Sequence, residues 1–159
     1  LPEDKLDGML VYTADKNGEG DRYFCKDGKI QRESDDGSRD SRYPKEDDHE
    51  LDVPLAVLIN GNSASASEVF TGAVMDYDAG IVVGTTTFGK GIVQNLIPLG
   101  DGTAIKLTTA HYYTPNGFDL HGKGLEPDVV VEMDEELQKK AVVELSEDNQ
   151  LQAAIEAMN

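Results

Sequence analysis

The chain has 159 residues, with 14 Lys and Arg against 31 Asp and Glu, a net charge of −17 at pH 7. A chain this long buries roughly 68–70% of its unfolded surface and needs no disulfide or metal to fold; its single cysteine, Cys25, can form neither an internal disulfide nor a cysteine zinc site. The negative charge, with no concentrated basic patch, argues against nucleic acid or an anionic membrane as partner, and the longest apolar stretch, residues 53–59, is far short of the roughly 20 residues of a membrane-spanning helix.

The first five residues carry no initiator Met and no apolar signal core, and read as part of something longer. Residues 9–26 read as a hairpin, two β-prone runs around Asp15-Lys16-Asn17-Gly18. Residues 31–52 hold nine acidic and four basic side chains, with only Tyr43 and Leu51 as large apolar ones, and predict an exposed acidic loop. The core is expected over residues 53–131. Residues 53–59 are apolar on both alternating faces and predict a central strand. A tight turn then leads into a helix with apolar residues at 69, 70, 73, 74 and 77, stopped by Gly80. Residues 81–83, 91–99 and 104–113 read as strands, and residues 149–158 as a terminal amphipathic helix.

Three candidate binding patterns fail. Residues 84–90 match the start of a phosphate-binding loop, but Gly91 stands where the Mg²⁺-binding Ser or Thr belongs and a strand follows instead of a helix. The run Asp15-x-Asn17-x-Glu19-Gly20 opens like a calcium loop, yet Lys26 occupies the twelfth position, where a bidentate carboxylate is required. His49, His111 and His121 have no metal-ligand spacing, so neither a metal nor another cofactor is expected.

Ser65 sits where a strand turns into a helix, which exposes a side chain on a sharp turn beside unpaired backbone N–H groups. The competing reading is structural: Ser65-x-x-Glu68 is also a capping box. Ser63 and Ser67 remain candidates of the same kind. A nucleophilic serine needs a base. On paper this is His111 or His121 with Asp119 or Asp128, or else Lys90, flanked by glycines in a Thr-Phe-Gly-Lys-Gly turn and required to act as a neutral amine.

Four blocks in order carry a resemblance: residues 57–68 (Val-Leu-Ile-Asn-Gly-Asn-Ser-Ala-Ser-Ala-Ser-Glu), 87–91 with Gln94, 113–117 (Tyr-Thr-Pro-x-Gly), and 124–128 (Gly-Leu-x-Pro-Asp). Together they resemble the C-terminal processing peptidases, or tail-specific proteases, over roughly residues 53–131. The resemblance implies Ser65 as nucleophile, Lys90 as general base, Gln94 as the residue orienting the lysine, and a role for Asp76 on the helix after the serine. The Ala66 N–H, next after the serine, would supply one oxyanion donor. Gln suits its place because its carbonyl accepts from the amine without adding negative charge.

The implied fold is α/β, a mainly β core with helices like the ClpP/crotonase-like spiral of these peptidases. The implied activity is serine endopeptidase cleavage in or near protein C-terminal regions, at an extracytoplasmic site such as periplasm, cell surface or lumen, with proteins or peptides as substrates. The PDZ-type domain and the glycine-rich segment that brings the second oxyanion donor in this family are not in these 159 residues. That predicts a weak or inactive enzyme and self-association through uncovered sheet surface. The alternative is a non-catalytic peptide-binding or scaffolding homologue of the same fold.

Overall fold

The computed structural model describes residues 8–26, 29–42 and 53–159. Local turn chemistry explains its first half. The Asp15 carboxylate accepts the N–H groups of Asn17 (2.7 Å) and Glu19 (3.0 Å), closing the turn between β1 (Gly8–Ala14) and β2 (Asp21–Lys26). These strands pair antiparallel. β3 (Lys29–Ser34) pairs with β2, and β4 (Arg39–Arg42) with β3, around the Asp35-Asp36-Gly37-Ser38 turn. The acidic loop expected over 31–52 is therefore a hairpin over 31–42. Pairing needs main-chain partners rather than a buried apolar set, and here β2 offers them. The rest of that segment, residues 43–52, lies outside the described residues, as does His49.

The chain re-enters order at β5 (Ala56–Ile59), followed by α1 (Ala66–Asp76) and β6 (Ile81–Gly84), which runs parallel to β5. β7 (Ile92–Pro98) and β8 (Ala104–Tyr113) form an antiparallel hairpin, and β8 pairs with β1. β9 (Val129–Val130) adds to β6. A short α2 (Glu135–Gln138) precedes α3 (Asn149–Ala157), whose N-terminus is capped by Asp148 accepting the Gln150 and Leu151 N–H groups.

Among the described residues two sheets form: six antiparallel strands in the order β4-β3-β2-β1-β8-β7, curled as a half-barrel, and three parallel strands in the order β5-β6-β9. This overturns the expected ClpP/crotonase-like spiral. Strands joined by tight turns can only pair antiparallel, whereas parallel pairing needs a crossover. In the described residues parallel pairing is confined to β5, β6 and β9. The fold is a mixed α/β arrangement. The central strand is also reassigned. It is β6, with Val82 and Val83 fully buried, while β5 is shorter than residues 53–59, lies at the sheet edge and leaves Leu58 exposed. The core joins Ile59, Val82 and Val83 with Ala73 and Val74 of α1, Leu120, Leu125 and Ala154 of α3.

Candidate active site

β5 ends in a tight turn that the sequence builds from its own polar groups. Asn60 accepts from Ser63 N–H through its carbonyl (2.8 Å) and from Asn62 N–H through its side chain (2.9 Å), while the Ser63 hydroxyl accepts the Asn60 N–H (3.1 Å). Ser63 is thereby committed to the turn. Ser65 comes next, half-buried, with φ 58° and ψ −113°. An ordinary N-cap residue lies in the β region; this geometry is one a non-glycine residue adopts only at a cost of order 1–3 kcal/mol, when its surroundings impose it. Ala66 opens the helix and is exposed, its N–H among those that have no intrahelical partner. Ser67, also exposed, gives its carbonyl to the Thr71 hydroxyl (2.8 Å).

Glu68 bonds the Ser65 main chain in that geometry. Its side chain is fully buried and accepts four hydrogen bonds. Oε2 takes the N–H of Ser65 (2.8 Å) and of Lys90 (2.8 Å); Oε1 takes the N–H of Gly89 (2.6 Å) and the hydroxyl of Thr87 (2.5 Å). Two N–H groups on one oxygen hold the Ser65 and Lys90 main chains within about two hydrogen-bond lengths of each other. The Phe88 N–H adds a bond to the Ser63 carbonyl (2.9 Å). Lys90 itself is exposed, its side chain outside the buried network.

The other two sequence blocks attach to the same frame. Thr87 Oγ1 accepts the Leu125 N–H (2.8 Å), and the Thr87 N–H donates to the Leu125 carbonyl (3.1 Å). Gly124, at φ 76°, lies so close that a Cβ there would stand 2.3 Å from the Thr87 carbonyl oxygen, which is why this block carries glycine. Asp76, at the end of α1, accepts the Asn116 N–H (2.7 Å) and so holds the Thr114–Gly117 turn. A cleft of about 630 Å³ opens on that side of α1, with Met75, Asp76, Phe118 and Leu125 among its walls.

Gln94 is exposed on β7, immediately after a register shift between Val93 and Gln94, and its Nε2 donates to Thr108 Oγ1 (3.3 Å). His111 and His121 meet edge to face at 5.0 Å, and His111 Nδ1 lies 3.3 Å from Asp119 Oδ2. Burial pushes the Asp119 carboxyl up, but the His121 N–H and His111 outweigh it and leave it below the ordinary value. Asp128, the other carboxylate considered for a histidine, instead accepts the Val82 N–H (2.7 Å). Among the described residues, no three His, Cys, Asp or Glu side chains group as a metal site.

Sequence reasoning saw Glu68 only as half of a capping box. Its partners at 87, 89 and 90 lie 19 to 22 residues further along, beyond any local pattern.

Comparison with known proteins bears on the same residues. The family model for peptidase family S41 matches residues 5–131. A carboxy-terminal-processing protease of Bartonella bacilliformis is 56% identical over 79 residues, covering 50% of this chain and 18% of that protein. A "Probable CtpA-like serine protease" of Staphylococcus epidermidis is 51% identical over 80 residues, covering 50% of this chain and 16% of that one. Among solved structures, the photosystem II D1 C-terminal processing protease aligns with TM-score 0.59 and 34% identity over 81% of this chain and 29% of its own. The chain thus spans less than a fifth of the length of these curated relatives. With four ordered sequence blocks meeting around α1 and a family match over most of its length, this chain belongs to peptidase family S41.

Proposed function

We propose that this chain carries the nucleophile and base of a serine endopeptidase that cuts proteins in or near their C-terminal regions, with Ser65 as nucleophile, Lys90 as general base and Gln94 orienting the lysine. The observation that carries the reading is the Ser65 backbone, φ 58° at the start of α1, held against the Lys90 turn by one carboxylate. A serine needed only as a cap has no reason to adopt that conformation. The Ala66 N–H supplies one oxyanion donor, with the second coming from the glycine-rich segment of the family. Asp76 acts through the turn it holds rather than on substrate. Proteins or peptides are the substrates and the site of action is extracytoplasmic. The exposed Leu96, Ile97, Leu99, Ile105 and Leu107 of the β7–β8 hairpin support self-association of the chain.

Loss of one oxyanion donor costs about 10²–10³ in rate. Turnover of an unstructured peptide with an apolar C-terminus is therefore expected to be slow for this chain and faster by about that factor for a chain continued upstream through the glycine-rich segment. Both activities should vanish in Ser65→Ala and Lys90→Met. Equal turnover by the two chains would put a complete oxyanion site within these 159 residues, and turnover surviving Ser65→Ala would overturn the reading.

A further inference from the structure

We propose that Phe88 is a specificity-determining residue of this site, whose exposed ring receives an apolar side chain of the substrate on the acyl side of the bond to be cut. The inference rests on the reading of Ser65 and Lys90 given above.

Two chain segments run side by side at the site. Gly61 lies against the Thr86 carbonyl, the Phe88 N–H donates to the Ser63 carbonyl (2.9 Å), and the Ser65 and Lys90 N–H groups share one Glu68 oxygen (2.8 Å each). Residue 61 is thus matched with 86, 63 with 88, and 65 with 90. Along the second segment Thr86, Phe88 and Lys90 are exposed, while Thr87, Gly89 and Gly91 between them are buried. The inner side has no room for bulk: a Cβ at Gly89 would stand 2.8 Å from the Gly124 nitrogen, and one at Gly91 2.9 Å from the His121 nitrogen. The side chains of Phe88 and Lys90 therefore both turn outward, one rung apart, and Phe88 stands beside the chain that leads into the nucleophile.

Single exposed apolar residues are common on protein surfaces; this one is set apart by its seat. Its ring is 65% exposed, yet its main chain is fixed by the Ser63 bond and by neighbours tied to Glu68. A firmly seated aromatic loses little conformational freedom on contact, which is what a binding anchor requires. It also has no rival, because residues 60–68 and 84–91 hold no other large apolar side chain.

The chemistry of the site picks the partner. Lys90 serves the leaving amine, so the acyl half of the substrate lies on the other side of Ser65, towards the rung of Ser63 and Phe88. A bare phenyl face favours leucine-like side chains over small or charged ones. The contact is a wall and not a closed pocket, so the preference is expected at the low end of hydrophobic discrimination, about tenfold.

Tripeptide diphenyl phosphonates test this on the 159-residue chain. Ser65 Oγ bonds to phosphorus, its proton passes to the Lys90 amine and phenoxide leaves, so the adduct keeps only acyl-side residues. An all-alanine compound is compared with compounds that carry leucine at each position in turn. A small fluorophosphonate, which has no peptide, reads the reactivity of Ser65 alone. One leucine compound is expected to label Ser65 about tenfold faster than the alanine compound. Phe88→Ala is expected to reduce that preference to within about twofold, and Phe88→Leu to retain most of it. The ring is exposed, so its removal spares the fold.

A leucine preference that survives in Phe88→Ala, or its absence at every position in the wild-type chain, would overturn the role of Phe88 while leaving Ser65 as nucleophile. Equal slowing of all the phosphonates and of the fluorophosphonate in Phe88→Ala would overturn it too, since the residue would then act on the nucleophile and not on the substrate. Failure of every compound to label the wild-type chain at Ser65 would overturn the peptidase reading beneath it.

Discussion

Glu68 and Asp35 are both carboxylates that accept main-chain N–H groups, and the molecule uses them in opposite settings. Glu68 is sealed inside, bonded to four donors from two turns distant in sequence. Asp35 stands at the surface of the β3–β4 turn, bonded to the Arg22 guanidinium (2.6 Å) and the Gly20 N–H (3.0 Å). Water can replace the partners of Asp35 at little cost, whereas nothing can replace those of Glu68. The strand meander can therefore carry many charges with little effect on stability. The site concentrates its dependence in one charge.

The largest expected effect follows from deleting that charge. Glu68→Leu strands the donors of Ser65, Gly89, Lys90 and Thr87, each worth about 1–3 kcal/mol when left unsatisfied. Against a total stability of about 5–15 kcal/mol this should leave the chain largely unfolded, as urea titration would show. A two-state melt close to wild type would mean that the donors find other partners. Gly124→Ala comes next. It forces a Cβ against the Thr87 carbonyl at a positive φ, and is expected to cost about 2 kcal/mol or more in the same titration. Because Thr87 bonds Glu68, it should also slow labelling of Ser65.

Smaller effects belong to the exposed groups. His111→Asn and His121→Asn are expected to leave Ser65 labelling largely unchanged. A large loss in either variant, with the fold intact, would shift the base to the His111–Asp119 pair. The Arg22 guanidinium, followed by the Gly20 N–H, holds the Asp35 carboxyl below its ordinary 3.8. Its folded value is the lower one, so its contribution to stability is present above 3.8 and is lost as pH falls through the folded value. Arg22→Ala should flatten that acid limb slightly. A carboxyl titration by NMR that places Asp35 at or above 3.8 would remove the effect.

The contrast also explains what could be read from the chain itself. Helix α1 and strands β6, β7 and β8 were legible because apolar spacing along a short window reports local structure directly. The β3–β4 hairpin was hidden, since Arg32, Glu33, Arg39 and Asp40 give no apolar alternation and the strands are held by neighbours' main chains. The spiral expectation failed for a related reason: which strands pair is decided by contacts such as Tyr12 with Tyr113, a hundred residues apart. Ser65, the proposed nucleophile, stood out as a strand-to-helix turn, whereas Lys90 and Gln94, its proposed partners, stood out only as letters of the family's blocks. The four-bonded Glu68 did not, because a capping box and a bridge between two turns begin with the same Ser-x-x-Glu letters.

The central claim is that the backbone strain at Ser65, which is also the N-cap of α1 within a capping box with Glu68, marks a nucleophile. Mapping the fluorophosphonate adduct by mass spectrometry of the digested chain tests it most directly. The account predicts one adduct, on Ser65, absent from Ser65→Ala and strongly reduced in Lys90→Met. An adduct on Ser63 or Ser67, or labelling that persists in Ser65→Ala, would contradict it.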